Sequence, residues 1–188
     1  MKVLCAEYNE QSDIAIIPIG DDSFLLENND FYFPEFTKEL SCVPQLVIKT
    51  TKLGKFIGEK FANRYYDEIG VGVRFYADTL EQELIAKSLP SSMASAFIGS
   101  AARSVMRPIG NNEFNYRMAI NDEIVFEGNA ETLPNSIPRL VSITSNYHTI
   151  KIGDYLFCGN TYRHRNLQVN DHLIVWLNDE KLLDFYIK

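Results

Sequence analysis

The sequence predicts an α+β fold, many short strands with about three helices, on three observations. Aromatic residues are abundant, 12 Phe and 10 Tyr among 188 residues, and they suit a pleated, half-buried surface better than a helical bundle. Apolar and polar residues alternate over short runs that are cut by Gly, Asn, Asp and Pro. A few longer segments switch to a spacing of three or four, the period of a helix. Hydrophobic residues make up 46% of the chain, enough for a substantial core. With no repeat, low-complexity tract or linker, residues 1–188 are expected to form one domain.

Taken in order, residues 3–6 and 13–19 are expected strands, the second ended by the turn composition Gly20-Asp21-Asp22. Phe24 to Leu26 leads into a turn at 27–30, and Pro34 keeps the run 31–34 at an edge or a strand end. Residues 46–51 read as a strand, turned by 52–54. A helix is expected from Phe56, because Phe61, Tyr65 and Ile69 recur every four residues. Gly70 and Gly72 bracket a change to extended chain, where Val71, Val73 and Phe75 alternate with Gly72, Arg74 and Tyr76. Thr79, with Gln82 three residues on, has the spacing of a capping box. Leu80 and Leu84 carry that helix until Pro90 stops it. After a loop at 108–112, strands at 114–120 and 123–127 flank Asn121-Asp122, two residues that tolerate positive φ. Ser136 as N-cap and Pro138 in the first turn open a third helix, running to about Asn146. Turns at 152–154, 170–171 and 178–180 separate strands at 155–159, 172–177 and 182–187, the last two forming a hairpin.

Charge and cysteine usage narrow the class. A net charge of −7 with no Lys/Arg cluster argues against a nucleic-acid binder. No apolar run approaches the roughly 18 residues of a membrane span, and the first residues turn polar too quickly for a signal peptide. Cys5, Cys42 and Cys158 are odd in number and scattered, as expected for reduced thiols of a cytoplasmic protein.

The stretch from Lys60 to Ala101 carries a resemblance. FANRYYDEIG at 61–70, RFYADTLEQEL at 74–84, SLP at 88–90 and ASAFIGSA at 94–101 resemble, in place and order, the words FAHRYYDEIG, DFTARDLQQEL, KGLPW and AKxFDGSA. Those words belong to the fumarylacetoacetate hydrolase (fumarylacetoacetase) family, in particular its short bacterial members similar to 2-hydroxyhepta-2,4-diene-1,7-dioate isomerase. Near the C-terminus, TIKIGD at 149–154 and FCG at 157–159 resemble TLKxGD and FTG. The resemblance spans from about Phe24 to Lys188 and implies a mixed β-roll wrapped around one long cleft. Before that, Glu7-Tyr8-Asn9 is the nearest match to an Arg-Asn-Tyr word, so this side of the cleft is expected to be shortened.

The family cleaves, isomerises or decarboxylates 2-keto acid compounds with one divalent metal, Mg²⁺ or Mn²⁺, held by two glutamates one residue apart and an aspartate on a neighbouring strand. Hard cations want such oxygen ligands. The resemblance puts those positions at Val43, Gln45 and Arg74. Valine has no ligating atom, glutamine offers a neutral amide, and arginine is a permanent cation. The family's lysine is Ser95, the threonine of TARD is Tyr76 and its arginine is Asp78. The Thr-Gly-Thr loop is Cys158-Gly159-Asn160, followed by Thr161.

No catalytic residue and no metal ligand is therefore assigned. Arg74, Tyr76, Asp78, Ser95, Asn160 and Thr161 are the expected lining of a vestigial or ligand-binding cleft. Arg74 is either the partner of Asp78 or another carboxylate in a collapsed site, or a surrogate cation that holds an organic acid together with Asn160 and Ser95. His148, His164 and His172 are too far apart to suggest a ligand set; Arg163-His164-Arg165 is a basic spot on a solvated loop. The expectation is a family member that has lost metal-dependent catalysis, a pseudoenzyme that needs no cofactor. It would bind an organic acid or a protein partner, as a homodimer or paired with a related subunit. The alternative is an active metal-dependent hydrolase, isomerase or decarboxylase of an acylpyruvate-like 2-keto acid, with ligands drawn from Asp67, Glu68 or Asp78.

Overall fold

The structure, a computed structural model, describes residues 1–26, 28–110 and 113–188. Glu27, in the turn expected before Phe31, and Asn111 and Asn112, in the loop expected after Pro108, lie outside the described residues. The strands are β1 (Val3–Tyr8), β2 (Ile14–Ile19), β3 (Phe24–Leu26), β4 (Leu40–Thr50), β5 (Tyr66–Ala77), β6 (Ala101–Arg103), β7 (Arg107–Pro108), β8 (Asn115–Ile120), β9 (Glu123–Asn129), β10 (Tyr155–Phe157), β11 (His172–Leu177) and β12 (Glu180–Tyr186). Among the described residues there are also two α-helices, α1 (Asp78–Ala86) and α2 (Ile137–Tyr147), and several short 3-10 turns. This is the expected α+β class.

Strands pair into two sheets, the larger mixed and the smaller antiparallel throughout. The larger runs β2-β1-β10-β4-β5-β6-β3, with β7 also on β5; the smaller runs β12-β11-β8-β9. The long antiparallel pair β4–β5 is the spine. Its register sets Leu40 against Ala77, Cys42 against Phe75 and Leu46 against Val71 on one face. All but Ala77, which packs with Leu84 and Ala94, join the main core with Val175, Leu183 and Phe185 of the smaller sheet. Phe75 stacks on Phe31, ring centres 4.0 Å apart. The opposite face carries Ser41 against Tyr76, Val43 against Arg74 and Gln45 against Gly72. Because strand side chains alternate, these five side chains converge on one surface. Gly72 must lack a side chain: a Cβ there would lie 2.5 Å from the Phe157 ring and 2.8 Å from the Ala102 carbonyl oxygen.

Local signals set the turns. Asn121 and Asp122 take φ of 51° and 66° between β8 and β9, the expected hairpin. The Ser136 hydroxyl accepts from the Arg139 amide at 3.3 Å and caps α2. Three expectations need correction. The helix expected through Ile69 is a 3-10 segment, Glu59–Arg64, and extended chain starts at Tyr66. There Ile69 and Glu68 pair with Ile48 and Lys49 of β4, and the ladder overrides a local spacing. α1 starts at Asp78 with no side-chain cap; the Thr79 hydroxyl instead accepts from the Lys38 amide at 3.3 Å. Finally, β4 begins at Leu40 and runs straight through Pro44, six residues ahead of the strand start read from composition.

Proline in a central strand needs an explanation. On the edge of β4 away from β5, Leu46 accepts from the Cys158 amide at 2.9 Å and Cys42 exchanges two bonds of 2.8 Å with His164. Pro44 faces that same edge by alternation. Between Cys158 and His164 the chain loops away, so the missing N–H has no acceptor to miss. No helix among the described residues is long and apolar enough to cross a membrane.

Candidate functional site

The loop that leaves β4 at Pro44 forms one wall of a cleft. Gly159 opens it with φ of 74°, its Cα pressed so close to the Tyr8 ring that a Cβ would sit 2.4 Å away. The Gly159 amide donates to Gln45 Oε1 at 2.9 Å. Asn160 Nδ2 donates to the Tyr116 hydroxyl at 3.0 Å, and Asn160 Oδ1 accepts from the Tyr162 amide at 2.9 Å. The floor is Val43 and Tyr76, and the opposite wall is Glu7 to Glu10 at the end of β1. The hollow, open to solvent on one side, has a volume of about 370 Å³, in the range of small-molecule sites. Larger hollows of about 530 and 510 Å³ lie beside Asn115 and Glu127 and beside Lys49 and Glu68. The chemistry-bearing side chains converge on the smaller one.

Arg74 lies beneath the floor and has no exposed surface. Its Nη1 donates to the carbonyl and hydroxyl oxygens of Ser100 at 3.2 and 3.3 Å. Its Nη2 donates to the Ser95 carbonyl at 2.6 Å and to Glu7 Oε1 at 3.4 Å. The other Glu7 oxygen accepts from the Tyr76 hydroxyl at 2.5 Å. Burial opposes the Arg74 charge, yet the acidic groups packed around it outweigh that cost and hold the guanidinium above its ordinary pKa, with Glu7 as its paired carboxylate. Burial, and then the Glu7 charge, raise the Tyr76 phenol well above its usual range. Burial also pushes the neighbouring Cys5 thiol up to about 12, so it stays neutral.

A second network stands beside the first. Arg163 Nε donates to the Ser41 hydroxyl at 2.6 Å, and Nη2 donates to Asp78 and, at 2.8 Å, to Glu81 Oε2. Ser41 donates in turn to Asp78 Oδ1 at 2.8 Å. Burial works against the Arg163 charge, and Glu81 and Asp78 outweigh it to raise its pKa. Arg165 lies 3.7 Å from Asp78 and is mostly exposed at the cleft rim. The cleft is thus bipolar, with Glu7 and Glu10 on one wall and Arg163 and Arg165 on the other.

Of the six residues read from sequence as cleft lining, Tyr76, Asn160 and Thr161 stand around this hollow, and Val43 stands with them. Arg74 and Gln45 share its face but lie behind the floor, at 0% and 1% exposure. Asp78 is not the partner of Arg74: Arg163 holds it, and Glu7 takes Arg74. Ser95 contributes its carbonyl to Arg74, whereas its hydroxyl turns to Ser92 at 3.4 Å. Sequence reasoning missed Glu7 as a member of the site. Its signal was available, since it sits in the word nearest to Arg-Asn-Tyr. Asp67 and Glu68 lie at the far end of β5, about 20 Å of strand from Arg74, where Glu68 pairs with Lys49 at 2.7 Å.

The donor set does not fit a divalent metal. At the three positions that the resemblance matches to metal ligands, Val43 offers only methyl groups, Gln45 a neutral amide already accepting from Gly159, and Arg74 a buried cation. Among the described residues, no three His, Cys, Asp or Glu side chains group closely enough to hold a metal ion.

No family model matches the chain. Among curated proteins, oxaloacetate tautomerase FAHD1, mitochondrial, from Mus musculus is 22% identical over 166 residues, 86% of this chain and 75% of that one. Among solved structures, the fumarylpyruvate hydrolase of Pseudomonas aeruginosa in complex with Mn²⁺ and pyruvate matches at a TM-score of 0.89. It is 16% identical, with 100% of this chain and 90% of that chain covered. The 5-carboxymethyl-2-hydroxymuconate delta-isomerase of Mycobacterium smegmatis matches at a TM-score of 0.85 and 15% identity, covering 99% of this chain and 76% of that one. At these identities the structural likeness shows the fold.

Proposed function

We propose, from the premise that this chain is a fumarylacetoacetate hydrolase-family protein in sequence and fold, that it works without a metal and uses its cleft to bind a small organic acid. One observation carries the reading. The Arg74 guanidinium is wholly buried on β5, directly opposite Val43, at the position where the family resemblance calls for a metal-binding aspartate. A divalent ion there would be repelled by a fixed positive charge, and the nearest carboxylate, Glu7, is already held by that cation. With no ion to stabilise an enolate, the family's chemistry has no electrophile.

The ligand class follows from what lines the opening. Arg165 is exposed at the rim, Arg163 keeps part of its guanidinium accessible, and Asn160 and Thr161 supply polar atoms beside them. Such a rim suits a carboxylate. Oxaloacetate, fumarylpyruvate and pyruvate, named with the relatives, all carry one. The reading with rearranged ligands gains nothing from the geometry, because Asp67 and Glu68 are remote and Asp78 is held by Arg163.

The test is metal analysis joined to calorimetry. After incubation with Mn²⁺ and gel filtration, the protein is expected to carry no stoichiometric metal. Titration with oxaloacetate is expected to release heat that EDTA leaves unchanged and Arg165→Ala reduces. One Mn²⁺ per chain, or heat that EDTA abolishes, overturns the proposal.

A further inference from the structure

Glu7 presents an acid to a site that the rest of the cleft builds for one. Its carboxylate, one oxygen on Arg74 Nη2 and the other on the Tyr76 hydroxyl, is held as a bound carboxylate would be held. Of the ion pair itself, Glu7 is the member that reaches the cleft, with 23% of its side chain exposed against none for Arg74. Arg74 still has an unpartnered buried Nε–H, so its hydrogen-bonding capacity is not exhausted by the fold. We propose that the inner end of the cleft is a monocarboxylate site occupied by the chain's own Glu7, and that an external short carboxylate reaches Arg74 only when Glu7 is out of the way.

The physical reason is competition. A tethered group competes at an effective concentration of millimolar or above, so a free acid at similar concentration gains little against it. Removing the tether leaves a guanidinium buried without its counter-charge, an arrangement that strongly destabilises a protein. It also leaves a space the size of the lost carboxylate. A small anion that fills the space binds the folded state and not the unfolded one, and so restores stability by mass action. The proposal goes beyond the reading above and does not rest on it: metal content decides that reading, and rescue by a small acid decides this one.

The experiment uses the full chain as wild type, Glu7→Ala, and Glu7→Ala combined with Arg74→Met. Each is melted in sodium formate and in sodium chloride of equal ionic strength. Glu7→Ala is expected to melt well below wild type in chloride and to regain about 4 °C or more in formate, saturably. Wild type and the double variant are expected to respond to formate no more than to chloride. Should Glu7→Ala fail to fold in chloride, its refolding yield on dilution from urea is read instead, and recovery in formate but not in chloride supports the proposal. A Glu7→Ala protein indifferent to formate, or a double variant rescued equally well, overturns it.

Discussion

Arg163 lies over the ring of Tyr76, its Cζ 4.3 Å from the ring centre. The contact joins two charge networks that belong to different parts of the chain. Tyr76 gives its hydroxyl to Glu7 and so to the Arg74 side, while Arg163 gives its nitrogens to Asp78, Glu81 and Ser41. The cleft floor is therefore set by two cations with separate acids.

The Arg163–Asp78 pair can be weighed by a double-mutant cycle. Asp78 is only 4% exposed, so removing Arg163 leaves a buried carboxylate with Ser41 and the mostly exposed Arg165 at 3.7 Å. Arg163→Met and Asp78→Asn are each expected to cost about 2 kcal/mol in urea denaturation, and the double variant less than their sum by about 1–2 kcal/mol. Additive single costs would show that the pair is a surface contact of little consequence.

Metal binding should be restorable on this backbone. Val43 and Gln45 point to the same side of β4, and Arg74 is the register partner of Val43, so three carboxylates placed there share one focus. The triple variant Val43→Glu, Gln45→Glu, Arg74→Asp is expected to bind Mn²⁺, read by calorimetry or by electron paramagnetic resonance, where wild type does not. A triple variant that folds, as judged by its far-ultraviolet circular dichroism, and still binds none would mean that these positions do not converge as the register says.

His164 gives a pH dependence with a definite sign. Burial holds its imidazole below the ordinary value, against the pull of Asp171 and Glu123. The unfolded chain titrates near the ordinary value of about 6.5. Below that pH the unfolded state takes up a proton that the folded state resists, so this group's contribution to stability falls as pH drops from about 6.5 and levels off beneath the folded-state pKa. His164→Asn, which keeps the backbone pair with Cys42, is expected to lose stability less steeply than wild type between about pH 7 and 5. Parallel slopes in urea melts across that range would contradict the assignment.

Several parts of this structure were legible in the sequence because their causes are local. Asn121-Asp122 fixed a hairpin, Ser136 a helix start, and the alternation through 71–76 put Arg74 and Tyr76 on one face before any register was known. What was hidden depends on residues far apart in the chain. Ile69 keeps a helical spacing with Tyr65 but is claimed by Ile48 across the ladder. Glu7 meets Arg74 across 67 positions and Arg163 meets Asp78 across 85, and no periodicity reports such pairs. Asp78 lies four residues from Arg74, the nearer and wrong choice of partner, because α1 begins there and turns its side chain toward Ser41.

Pro44 has a consequence for how the opening survives. A donor at that point of β4 would invite the strand ending at Phe157 to keep zipping forward, and a continuous sheet would close over Val43. Pro44 offers no hydrogen, so at this step the neighbouring chain reaches β4 only through a side chain, Asn160 Nδ2 donating to the Pro44 carbonyl at 3.4 Å, and the segment bearing Asn160 and Thr161 bows outward. The hollow is kept by a bond that cannot form.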